Sequence, residues 1–186
     1  VSNKIILCEE CYSDYRADPS PEFYKRLYEK KRDLEKSHSI EEDLKRIDVE
    51  DELGIIIDDL ATLNESKLAS AIPLDPKSLN EKIRDDCILK DDVNKWVLRY
   101  YKYIESLFSD LDSKGKSRFK VIATQVSNAF ETLDARGDLN QREIFNALVK
   151  WLNDSLGYTS NDKLSLMNII VAFFVQNCEV FHAISE

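Results

Sequence analysis

The 186-residue chain carries a net charge of −9, with 33% charged residues and only 4 Gly and 4 Pro. An acidic surface repels phosphate backbones and anionic lipid, so the composition argues against nucleic acid bound directly and against a membrane partner. Scarce glycine and proline, with few alternating apolar positions, predict an all-α fold, a multi-helix bundle built round a buried C-terminal helix.

Residues 1–71 hold 11 basic and 18 acidic side chains, so most of the negative charge lies in the first part of the chain. The four cysteines, Cys8, Cys11, Cys87 and Cys178, lack the dense spacing of a disulfide scaffold, and no signal peptide precedes them. A reducing cytoplasm is the expected compartment. The first residue is Val1 rather than Met, from which we expect a chain cut from a longer one.

Residues 1–20 open on Ile5-Ile6-Leu7-Cys8 and close on a turn at Asp18-Pro19-Ser20-Pro21; they read as a tail or tether. Ser20 as cap and Pro21 in the first turn start a helix through about Glu35. Ser39-Ile-Glu-Glu42 has capping-box spacing and predicts a new helix from Ile40. Leu44, Ile47, Leu53, Ile56, Ile57 and Leu60 keep a helical period through a run dense in carboxylates, weakened at Gly54. One broken or two consecutive helices are expected to about Ser70, which makes 21–71 an acidic helical N-terminal part.

Two prolines in Ile72-Pro-Leu-Asp-Pro76 force extended chain and mark the expected boundary with a C-terminal bundle, 72–186. The bundle reads as helices at 77–88, 90–111, 118–134, 139–156 and 160–183, with turns at Lys114-Gly115, Arg136-Gly137-Asp138 and Gly157-Tyr158. In the last of them Leu164, Met167, Ile170, Val171, Phe174, Cys178 and Phe181 cover one side. Ser165, Asn168, Ala172, Gln176 and Glu179 form a narrow stripe opposite. These polar residues recur too often for a membrane span of about 20 apolar residues.

The chemistry on offer is sparse, and the expectation is a protein that is not an enzyme, with no cofactor and no metal. Cys8-x-x-Cys11 has the spacing of half a zinc knuckle, but the second half is missing and only His38 and His182 could help. A thioredoxin-type dithiol lacks its βαβ context, which leaves ordinary reduced thiols. Asp110 to Val121 and Asp134 to Glu143 imitate calcium loops but place Lys114 and Arg136 at ligand positions. Asp58-Asp59, Asp85-Asp86 and Asp91-Asp92 are neighbours that point about 100° apart on a helix, and read as solvated faces and caps. Glu179 sits inside the apolar last helix, where a carboxylate needs a partner; Lys82, Arg84 or Arg99 could supply it in a structural buried pair. Partner contact is assigned to the acidic Glu41, Glu42 and Asp43 and to the faces around Trp96 and Trp151, since aromatic anchors carry disproportionate binding energy.

Four stretches carry a family resemblance: Ile72-Pro73; Leu79-Asn-Glu-Lys82-Ile83; Val93 through Tyr100-Tyr101-Lys-Tyr103-Ile104-Glu105; and Ile170-Val-Ala-Phe-Phe-Val-Gln-Asn-Cys178-Glu179-Val-Phe181. Over residues 72–186 the chain resembles the C-terminal domains of effector proteins of bacterial ABC-three-component systems. No effector module accompanies it, and Asp85-Asp86 replaces the polar-aromatic, Asn-containing turn of the family pattern. The resemblance implies a helical connector in antiviral defence that couples an effector to a middle component or an ABC-type ATPase. The rival expectation is a free-standing helical scaffold or regulatory domain that acts as a homo-oligomer.

Overall fold

The computed structural model describes residues 4–64, 68, 77–113, 118–158, 163–177 and 180–181. Among them the chain is all-α, with eight helices and no strand: α1 (Glu9–Ala17), α2 (Pro21–Leu44), α3 (Glu52–Ala61), α4 (Lys77–Lys82), α5 (Cys87–Ser113), α6 (Arg118–Asp134), α7 (Gln141–Ser155) and α8 (Leu164–Gln176). They divide into two units, one ending at Asp43 and the other beginning at Leu44.

In the first unit, residues read as a tail or tether contain a nine-residue helix. Cys8 caps α1, with its side chain accepting from the Cys11 amide. Ser20 Oγ accepts from the Phe23 amide at 3.2 Å and opens α2, as the Ser-Pro signal predicts. That helix then runs unbroken through Ser39 to Leu44, so the expected stop near Glu35 and restart at Ile40 do not occur. No Gly or Pro interrupts residues 22–44, and a capping signal without a breaker does not end a helix whose exposed face carries Lys25–Glu29 and Lys31–Glu35 pairs. The Tyr15 and Phe23 rings lie 6.1 Å apart, and Lys31 Nζ donates to Lys4 O at 2.9 Å. No described residue of this unit is buried.

The second unit holds the core. Its centre is α8, where Met167 and every residue from Ile169 to Val175 are buried, packed against α3, α4, α5 and α7. The expected central helix is therefore present, and it is shorter than expected: it ends at Gln176. Asn177 caps it, donating from Nδ2 to Phe173 O at 3.0 Å. Phe108 stacks on Phe173 at 5.4 Å and meets Phe174 edge-on at 6.0 Å, which joins α5 to α8 through aromatic contacts.

The chain breaks at residues 45–51 and not at Gly54, which lies inside α3. Glu50 and Glu52 flank the start of α3 and share the Arg118 guanidinium, at 2.8 and 2.7 Å. The helices expected at 77–88 and 90–111 meet earlier, at 83–86. Asp86 Oδ1 accepts from the Leu89 amide at 2.9 Å and so caps α5 from the position before Cys87. Gly157 ends α7 as predicted, with φ of 71°. Its amide bonds Asp154 O and the Tyr158 amide bonds Asn153 O, both at 3.1 Å, the two bonds of a Schellman motif. Residues 69–76, with both prolines of the expected boundary, lie outside the described residues; α3, which precedes them, packs on α5 and α8.

Candidate functional site

The strongest polar node of the bundle is Lys82. The side chain is 2% exposed, and its ammonium donates to Val175 O at 2.7 Å and to Gln176 O at 3.1 Å. Those carbonyls end α8, where the helix dipole concentrates partial negative charge. A single cation from α4 thus satisfies the end of the central helix. The backbone of Lys82 is held as well: Gln141 donates from Nε2 to Lys82 O at 2.7 Å, while its Oε1 accepts from the Arg84 amide at 2.9 Å.

Beside this node Arg142 makes a two-pronged ion pair with both oxygens of Asp86. Its hydrogen bonds hold the Asp86 carboxyl below the usual carboxylate range and raise the guanidinium in turn. Asp58 pairs with Lys163, which the hydrogen bond to Asp58 raises above its ordinary value and which lies 4.4 Å over the Tyr158 ring. Asp92 pairs with Lys95 at 3.4 Å. The carboxylate doublets therefore supply caps and ion pairs from single members.

A groove of about 680 Å³ opens between the end of α7 and the start of α8. Asn146, Val149, Asn153, Tyr158, Leu164 and Asn168 line it, with the Lys150–Asp154 pair at 2.6 Å. Asn153 is 7% exposed and donates from Nδ2 to Tyr158 O at 2.8 Å, while its Oδ1 has no hydrogen-bond partner among the described residues. The amides and the ion pair of this lining can hydrogen-bond a guest.

The residues assigned to partner contact fall in different places. Glu41, Glu42 and Asp43 are exposed near the end of α2. Trp96 is half-buried, its ring stacked 6.0 Å from Phe145. Trp151 is 6% exposed and its indole N–H donates to Ile47 O at 3.1 Å, so it is a core side chain that ties the approach to α3 onto α7. Glu179 lies outside the described residues, as do Cys178 and His182. Lys82, named as a partner for Glu179, finds helix carbonyls. Asn153 escaped sequence reading, although an Asn four residues before Gly157 at the end of an apolar stripe was the available signal.

The family model describing C-terminal domain 11 of the ABC-three component (ABC-3C) systems matches residues 40–181. The chain belongs to this family. The ABC-3C match reaches back to Ile40 and so takes in α3, beyond the 72–186 span over which resemblance was read. Within this ABC-3C domain lie Lys82, the Asp86–Arg142 pair and the groove, while α1 with Cys8 and Cys11 precedes it. No curated protein and no solved structure matches the chain.

Proposed function

We propose that this ABC-3C C-terminal domain is a non-catalytic interaction module that couples an effector to a middle component or an ABC-type ATPase of the same system. The observation that carries the reading is the agreement between family span and packing unit: residues 40–181 match the family, and the unit beginning at Leu44 has its own core around α8. A self-contained helical unit can be appended to varied modules and still present one constant surface. The exposed acidic cluster Glu41, Glu42 and Asp43 stands at the start of that span, where charge would steer a basic partner.

The test is co-purification of tagged residues 1–186 with the middle component and the ATPase encoded beside it, followed by charge reversal at Glu41, Glu42 and Asp43. We expect a stable complex with one of the two, weakened about tenfold or more by the triple reversal at low salt. No complex with either protein, and self-association alone in light scattering, would overturn the coupling role in favour of a homo-oligomeric scaffold.

A further inference from the structure

Cys8 and Cys11 stand three residues apart at the start of α1, and the structure gives the pair a definite arrangement. Cys8 is the cap residue, with extended backbone (φ −67°, ψ 166°), and its exposed Sγ accepts from the Cys11 amide at 3.5 Å. Cys11 is half-buried in the first turn, and its backbone amide holds the Cys8 sulfur over that turn. One sulfur is therefore presented to solvent at the positive end of a helix, with the second behind it in the same turn. Attack and resolution require this division of roles.

We propose that Cys8 and Cys11 form a redox-active dithiol that is oxidised by small cationic disulfides, with Cys8 attacking and Cys11 resolving. The Cys8 thiolate displaces one thiolate from the disulfide RS–SR and forms a Cys8–S–SR mixed disulfide. Cys11, deprotonated, then attacks the Cys8 sulfur, releases the second RS⁻ and closes the Cys8–Cys11 disulfide. The dithiol loses two electrons and two protons, and one RS–SR becomes two RSH.

The backbone hydrogen bond from Cys11 draws the Cys8 thiol below its ordinary range, against desolvation and the charge of the Glu10 carboxylate. The bond to Cys8 pushes the Cys11 thiol up, with Asp14 and Glu10 adding to it. Glu9 and Glu10 fill the first turn between the two cysteines. Their carboxylates disfavour an anionic disulfide such as oxidised glutathione and favour a cationic one.

The whole chain is treated with cystamine at neutral pH, remaining thiols are blocked, and the tryptic peptide Ile5–Arg16 is weighed. We expect a peptide two hydrogens lighter with no cystamine half attached, and a Cys11→Ser variant that retains the half on Cys8. Cys87, exposed in the same chain, is the internal control, and Cys8 in Cys11→Ser should react at least about threefold faster than it. A mixed disulfide that persists on the unsubstituted chain, or Cys8 no faster than Cys87, would overturn the proposal. The first readout needs no variant to fold.

Discussion

A lysine with 2% exposure is tolerable only because its ammonium meets the carbonyl end of α8. Lys82→Met keeps much of the buried stem but leaves Val175 O and Gln176 O without this donor. Hydrogen bonds to charged groups contribute about 1.5–3 kcal/mol, so a loss of about 2 kcal/mol is expected, read as a lower urea midpoint at unchanged slope. Asp86 gives a pH signature. Its carboxyl is depressed by Arg142, so the pair stabilises the fold above the usual carboxylate range. That contribution is lost as pH falls through the lower folded value. Melting temperature followed from pH 6 downwards should therefore drop less steeply in Asp86→Asn, from a lower start. Equal slopes in the two proteins would mean that the ion pair contributes nothing.

At the scale of elements, two glycines should respond with opposite sign. Gly54 is inside α3, and a Cβ there would come no nearer than 3.6 Å, to Tyr158 Oη. That is ordinary contact, so Gly54→Ala should raise stability by up to about 1 kcal/mol through helix propensity. At Gly157 no described residue comes within 4 Å of an added Cβ, but φ is 71°, and a side chain there costs about 1–2 kcal/mol of backbone strain. Gly157→Ala should destabilise accordingly in the same denaturant assay. The two substitutions show why Gly157 marks a helix stop and Gly54 only weakens a helix. A turn that needs positive φ demands glycine, whereas a helix interior merely tolerates it. The same logic covers Ser39, whose capping pattern starts no new helix because nothing breaks the helix around it.

At the scale of the molecule, every buried hydrophobic side chain among the described residues belongs to the unit that starts at Leu44. Residues 44–186 alone should keep a cooperative thermal transition, whereas residues 1–43 alone should melt without one. Circular dichroism of the two fragments checks both. Loss of cooperativity in the longer fragment would show that its core is incomplete.

The all-α class and the buried last helix could be read from local pattern, because apolar period, Gly/Pro punctuation and Pro-initiated helix starts are properties of neighbouring residues. Trp151 looked like a surface anchor because its helical spacing is the same whichever side is covered, and the carbonyl that its indole N–H meets belongs to Ile47, over a hundred residues earlier. Tertiary structure alone decided which cation met which acceptor: Lys82 with the end of α8, Arg118 with Glu50 and Glu52, Arg142 with Asp86. Each of these joins elements remote in sequence, and no local periodicity records a pairing that only the packed helices create.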